Sequence, residues 1–240
     1  MIEVRQVSKS FGGFEALHNV SFSCRDGEIT GLIGPNGAGK TTTLRILYTV
    51  LTPDAGSAAI DGFDTVAERR RVQARIGVLP DNRGLYPRLT AREHMRYYAR
   101  LHGLNGAELE RRIDRLIDKL AMGDIADRRT KGFSKGQIMK VALARALVHE
   151  PHNVMFDEPT NGLDIASSRA VRALVREIRE QNRCVLFCSH IMSEVEALCD
   201  RIVVVAHGRV VADGTPEELR RQSGHADLEE VFLKTVEAGA

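Results

Sequence analysis

Gly34-Pro35-Asn36-Gly37-Ala38-Gly39-Lys40-Thr41-Thr42 puts Gly34, Gly39, Lys40 and Thr41 at the four fixed positions of a G-x-x-x-x-G-K-[ST] phosphate loop. Glycines let such a loop bend until its N–H groups face phosphate oxygens. Lys40 brings a positive charge to the β and γ phosphates, and the Thr41 hydroxyl is a ligand suited to Mg²⁺. The flanks agree with this reading. Glu28-Ile-Thr-Gly-Leu-Ile33 reads as a short apolar strand, and Thr42-Thr-Leu-Arg-Ile-Leu47 opens a helix. The alternative is a glycine-rich turn that matches by accident.

On the N-terminal side, short strands dominate: Ile2–Val7, Ala16–Val20, Val20–Cys24 and Glu28–Ile33, with turns at Gly12-Gly13 and Asp26-Gly27. Beyond the loop, strands are expected near Ala58–Ile60 and Ile76–Leu79. From about Arg88 to Lys131 the pattern turns helical, and Ile113, Leu116, Ile117 and Leu120 share one helix face. Strand and helix then alternate: strand Asn153–Asp157, helix Ser167–Glu180, strand Cys184–Ser189, helix Met192–Cys199, strand Arg201–Ala206. This alternation predicts an α/β fold with a mostly parallel sheet covered on both faces, into which the helical stretch is inserted. Residues from Pro216 to Ala240 read as a helix and a short tail.

Composition narrows the function. The 34 basic and 32 acidic residues nearly cancel, so no nucleic-acid partner is expected from charge. Arginines gather between Arg83 and Arg129, but Glu93, Glu108, Glu110, Asp114 and Asp118 interleave with them, as on a solvated helical face. Cys24, Cys184, Cys188 and Cys199 lack metal-ligand partners at usable spacing and read as reduced, buried residues. Met1-Ile-Glu-Val-Arg5 has no basic region followed by an apolar core, so no secretory signal is expected. No apolar run is long enough to span a bilayer. Any membrane role therefore requires a partner chain.

Asn153-Val-Met-Phe-Asp-Glu158 is an apolar strand ending in two carboxylates, at the tip where ligands of open α/β sheets bind. Taken alone, two such acids also suit a helix N-cap region. Beside a phosphate loop, Asp157 is the candidate holder of Mg²⁺, and Glu158, pointing the other way, the candidate to polarise an attacking water.

With these two motifs on one chain, the sequence resembles the ATP-binding subunits of ABC (ATP-binding cassette) transporters, from Met1 to about Leu219. Phe133-Ser-Lys-Gly-Gln137 occupies the place of the family's Leu-Ser-Gly-Gly-Gln signature; Ser134 and Gly136 match, while Phe133 and Lys135 depart. Ser134 also suits the cap of helix Ile138–Val148, whose N-terminus would favour a phosphate. Asn161-Gly-Leu-Asp164 matches the family's dimer-interface loop. His190 matches the histidine that senses the γ-phosphate, although a histidine at a strand end also serves as a cap or surface residue. Phe11 matches the aromatic residue that stacks on adenine, with a core position as the alternative. Where the family carries a glutamine on the Mg²⁺ side, this chain has Asp81, a position also suited to a turn-forming aspartate.

The resemblance implies a RecA-like, mostly parallel core with an N-terminal antiparallel β subdomain (residues 1–82 and 134–217), an inserted helical subdomain (83–133) and a C-terminal segment (218–240). It implies ATP and Mg²⁺ as cofactors, bound by Phe11, Gly34 through Thr42, and Ser134, Lys135, Gly136 and Gln137. Thr41, Asp81 and Asp157 would attend the metal, and Lys40, Glu158 and His190 the chemistry. It further implies a head-to-tail, ATP-dependent homodimer and a separate permease, which would hold the chain on the inner face of the cell membrane. The permease would dock against Gly84-Leu-Tyr86 and helix Arg92–Leu101, with Met95, Tyr97 and Tyr98 as apolar contacts unless Met95 and Tyr98 face the core. The segments Leu79–Tyr86 and Thr130–Gln137 resemble NatA-type exporter ATPases, which points to sodium as cargo; related subunits serve drug, polysaccharide and antibiotic export. A soluble ABC ATPase of translation or DNA repair is the alternative, disfavoured by the single cassette and the lack of a long coiled-coil insertion. A non-catalytic regulator would lack Lys40 or Glu158.

Overall fold

A computed structural model of the chain describes residues 1–82 and 84–238. Arg83 and the last two residues of the expected tail lie outside the described residues. Strands β1 (Ile2–Phe11) and β2 (Phe14–Cys24) form a long antiparallel hairpin. The sequence reading split β2 at Val20; it is one strand with irregular register instead. Asn19 adopts a positive φ of 55°, and its N–H donates to the Ser8 hydroxyl at 2.9 Å. Around this break buried Leu17 falls out of step with buried Val20, Phe22 and Cys24, which is why the stretch reads as two strands.

Strand β3 (Ile29–Ile33) is wholly buried and leads through the loop to helix α1 (Lys40–Leu47). Strands β4 (Ala55–Ile60) and β5 (Phe63–Asp64) complete a four-stranded antiparallel sheet of order β2-β1-β4-β5. After the short helix α2 (Arg69–Gln73) comes β6 (Ile76–Leu79). Helices α3 (Ala91–Leu101), α4 (Gly106–Lys119) and α5 (Lys135–Leu147) follow. The remaining elements are β7 (Asn153–Asp157), α6 (Ile165–Glu180), β8 (Cys184–Cys188), α7 (Met192–Leu198), β9 (Arg201–Ala206), β10 (Arg209–Gly214), α8 (Pro216–Ser223) and α9 (Leu228–Ala238).

The second sheet has the order β10-β9-β3-β8-β7-β6, parallel except for β10 at one edge. Its central strands are apolar on both faces because both faces are covered. On β8, Val185 and Phe187 enter a core shared with α5, α6 and α7, whereas Cys184, Leu186 and Cys188 enter one shared with α1 and the antiparallel sheet. β7 and β9 divide their residues in the same way. The sequence missed β5, α2 and β10. The first two are too short to show a period, and β10 is a half-buried edge whose Val210-Val211-Ala212 does not alternate. The C-terminal segment is two helices rather than one and a tail. α8 opens on a Thr215–Glu218 capping box with Pro216 in its first turn and closes at Gly224.

Helices α3, α4 and α5 enclose a third core. Ile113 and Ile117 are buried in it, with Leu116 and Leu120 at its margin, as the periodicity of α4 requires. Met95 is fully buried there as well, so of its two readings the core face holds and the docking contact does not: i, i+4 neighbours Ala91 and Ala99 share its inward face. Several arginines of this region pair with the interleaved acids. Arg92 reaches Asp114 at 2.6 Å and Arg96 reaches Glu110 at 2.6 Å, tying α3 to α4. Among the described residues no helix is long and apolar enough to cross a membrane.

Phe187 is fully buried on a central strand, whereas Ile165 is exposed at the start of α6. Phe187→Ala should lower stability by about 4 kcal/mol and Ile165→Ala by about 0.5 kcal/mol or less. Urea unfolding monitored by circular dichroism checks this; equal midpoints for the two variants would contradict the central place of β8.

Candidate active site

The loop between β3 and α1 is clamped from both sides. A Cβ on Gly34 would stand 2.1 Å from the Val205 carbonyl oxygen, and one on Gly39 would stand 2.5 Å from Leu17 Cδ2 and 2.7 Å from the Ala16 carbonyl oxygen. Gly39 is also the N-cap of α1 with φ 106°, a conformation open to glycine and costly for other residues. No side chain caps α1, and no acidic residue sits in its first turn. Its first N–H groups, which have no partner within the helix, therefore face the cleft as an anion site. Lys40 is nearly buried, and its Nζ donates to the carbonyls of Gly34 at 2.6 Å and Pro35 at 3.1 Å. It is thereby stretched back across its own loop.

The neighbouring parallel strands deliver the acids. Asp81 follows β6, Asp157 ends β7, and Glu158 comes next with φ 49°. The Glu158 N–H donates to the Cys188 carbonyl at 3.0 Å, which turns its side chain across the tip of β8. There Glu158 Oε2 lies 2.8 Å from His190 Nδ1. Behind them, Ser189 Oγ accepts from the Ile191 N–H at 3.1 Å and lies 3.4 Å from Glu194, which also receives the Thr160 hydroxyl at 2.5 Å. This buried network fixes the chain just beyond β8 on either side of His190.

Phe11, Gly34 through Thr42, Asp81, Asp157, Glu158 and His190 all line one cleft of about 750 Å³. Phe11 is 45% exposed at the hairpin tip, so the core alternative for it falls away. Lys9 Nζ stands 5.5 Å from its ring centroid. Burial, then the nearby Asp81 and Glu158 carboxylates, push Asp157 up from its ordinary 3.8 to about 6, against the pull of Lys40 and Arg45.

Ser134, Lys135, Gly136 and Gln137 lie elsewhere, at the start of α5. Ser134 Oγ accepts from the Gln137 N–H at 3.2 Å, and Gln137 Oε1 accepts from the Ser134 N–H at 3.0 Å, a reciprocal cap. Lys135 lines a separate groove of about 590 Å³ together with Asn161, Gly162 and Asp81. Asp164 caps α6 through the Ser167 N–H at 2.8 Å.

Sequence reasoning missed Phe14, Met192 and Phe232 on the cleft wall. Phe14 had a signal: the Gly12-Gly13 turn sets it opposite Phe11. Phe232 had none, because α9 is brought to the cleft by packing against α7, β9 and β10.

Comparison with known proteins fits this geometry. A family described as ABC transporter matches residues 17–161. The chain is 44% identical over 226 residues to the ABC transporter ATP-binding protein NatA of Bacillus subtilis (strain 168), an alignment covering 94% of this chain and 92% of NatA. It is 36% identical over 231 residues to the Nod factor export ATP-binding protein I of Paraburkholderia xenovorans (strain LB400), covering 96% of this chain and 76% of that protein. A solved ATP-binding subunit of an ABC transporter superposes with a TM-score of 0.92 at 32% identity, over 98% of this chain and 99% of that one. The ABC cassette MJ0796, in a dimeric post-hydrolysis state bound to ADP and Pi, superposes with a TM-score of 0.81 at 26% identity, over 90% of this chain and 98% of that one. The chain belongs to the ABC transporter family, as one of its ATP-hydrolysing subunits.

Proposed function

We propose that this ATPase drives export through a separate membrane permease, and that it works as a head-to-tail dimer closed by ATP. The observation that carries the reading is the Glu158–His190 pair, 2.8 Å apart, in the same cleft as the clamped loop of Lys40. The triphosphate lies along the loop, held by the N–H groups at the start of α1 and by the Lys40 ammonium. Phe11 offers its face to adenine. The Glu158 carboxylate orients and activates the attacking water, and His190 holds that carboxylate while facing the γ-phosphate. The chemistry is positioning and charge stabilisation.

The residues present fit Mg²⁺. The Thr41 hydroxyl and the Asp157 and Asp81 carboxylates are hard oxygen donors, and the raised Asp157 marks a spot where negative charge gathers short of a cation. When bound, Mg²⁺ would neutralise charge on the phosphate oxygens. Thr41, Asp157 and Asp81 would hold it, with Asp81 in place of the family's glutamine.

Ser134, Lys135, Gly136 and Gln137 do not line the cleft of their own chain. A second copy would bring them onto the γ-phosphate, and the dimeric state of the MJ0796 cassette supports an assembly of two copies. Tyr86, Tyr97 and Leu101 form an exposed apolar surface, 52%, 46% and 65% accessible, beside the inserted helices. That surface favours a permease at the inner membrane face over a soluble role in translation or DNA repair. Sodium is the cargo we assign first, on the likeness to NatA-type exporters.

Lys40→Ala should abolish ATP binding. Glu158→Gln should keep binding, slow turnover at least about a hundredfold and trap a dimer with ATP and Mg²⁺. Gel filtration and phosphate release read both, and a Glu158→Gln protein with native turnover removes Glu158 from the chemistry.

Asp157 carries a second expectation. Its folded pKa lies above its unfolded value, so the folded state binds more protons between about pH 4 and 6, and stability falls as pH rises through that window. Asp157→Asn should stabilise the nucleotide-free protein by about 2 kcal/mol at pH 7, and this gain should vanish below about pH 4. Urea melts at both pH values decide it; a gain that persists at pH 3.5 points to a cause other than charge.

A cysteine at Tyr86 should cross-link to a cytoplasmic loop of the permease in an ATP-sensitive way. A complex that still transports sodium yet gives no such cross-link excludes this docking face.

A further inference from the structure

The first turn of α5 carries the Ser134–Gln137 cap, and its last turn carries Arg145. The Arg145 side chain is nearly buried, with Cζ 4.8 Å from the centroid of the Tyr98 ring. Its Nη1 donates to the Gly84 carbonyl at 3.1 Å and to Tyr98 Oη at 3.5 Å. Among the described residues no carboxylate forms a salt bridge with it. Burying a cation with no counter-ion is costly, and an apolar side chain would pack α5 against α3 without that cost. The Tyr98 ring offsets part of that cost, and the rest of the guanidinium's grip is on backbone three residues after Asp81.

Two further side chains hold the same strip. Nε2 of the fully buried His94 lies 3.1 Å from both the amide nitrogen and the carbonyl oxygen of Tyr86, and the Thr130 hydroxyl donates to that carbonyl at 2.9 Å. His94 and Thr130 anchor the strip to the inserted helical region. Among the described residues, Arg145 is the α5 side chain that hydrogen-bonds to the strip, and α5 is the helix whose start bears the signature.

We propose that Arg145 is a positioning residue for Asp81: it ties the Gly84 carbonyl to α5, so that the acid on one side of the cleft takes its place from the helix that begins at Ser134. The inference rests on the reading of Asp81 as a Mg²⁺-side ligand. It makes Arg145 a link between the two halves of the ATP site, since the signature of each chain would face the partner's phosphate loop while its Arg145 sets its own Asp81.

The test uses a fluorescent ATP analogue and the Glu158→Gln protein, so that binding is read without turnover. Nucleotide affinity is measured in EDTA and then along a Mg²⁺ titration, for Arg145→Met, Arg145→Lys, Asp81→Ala and the Arg145→Met/Asp81→Ala double variant. Arg145→Met should leave affinity in EDTA unchanged and raise the half-saturating Mg²⁺ about tenfold or more. Arg145→Lys should recover part of the loss, because an ammonium can still reach a carbonyl. Asp81→Ala should shift in the same direction, and adding Arg145→Met to it should change nothing further. An Arg145→Met protein with native Mg²⁺ dependence, while Asp81→Ala is shifted, overturns the role of Arg145 and leaves that of Asp81 intact. A native Mg²⁺ dependence in Asp81→Ala overturns the reading of Asp81 and the inference with it. Should Arg145→Met fail to fold, Arg145→Lys decides alone, and an unshifted Mg²⁺ titration overturns the proposal.

Discussion

A backbone oxygen of β9 pressed against a residue with no side chain is the contact on which the rest of this structure depends. With Gly34 flush against Val205, the phosphate loop sits on the sheet rather than beside it, and α1 starts directly above the strand ends. That fixes where the helix dipole points and how far the Lys40 ammonium can reach. Any side chain at Gly34 would lift the loop, and the acids of β6 and β7 would then face empty water instead of a phosphate site. The parallel sheet, buried on both faces, supplies the rigid plane against which this contact is made.

Charge is arranged around that plane at the expense of the resting protein. Asp81, Asp157 and Glu158 crowd one end of the cleft, and Lys40 spends its hydrogen bonds on its own loop. Nucleotide and metal would relieve both conditions at once. A site built this way is least comfortable when empty, and ligand binding is correspondingly coupled to stability.

Much of this was legible in the sequence wherever a residue type is forced by local geometry. The phosphate loop, the Asp157-Glu158 pair and the cap at Ser134 each require particular residues at particular spacings, and each stands where its motif put it. The ends of β7 and β9 matched because a run apolar on both faces has sharp borders. What escaped had no local requirement. The bulge at Asn19 broke one strand into an apparent two, Met95 carried no mark telling a core face from an outer one, and Phe232 reaches the cleft only through tertiary packing. Arg145 drew no reading, because its lack of a carboxylate partner among the described residues shows only in three dimensions.

Finally, all four cysteines are buried and free. Burial raises the thiol pKa of Cys24, Cys188 and Cys199, which keeps them protonated as well as shielded. To an alkylating reagent, the folded chain is a protein without cysteine. A single thiol introduced on its surface would be the one site labelled while the fold holds, and any additional uptake of reagent would count the molecules that have opened. The native sequence thus carries its own gauge of unfolding.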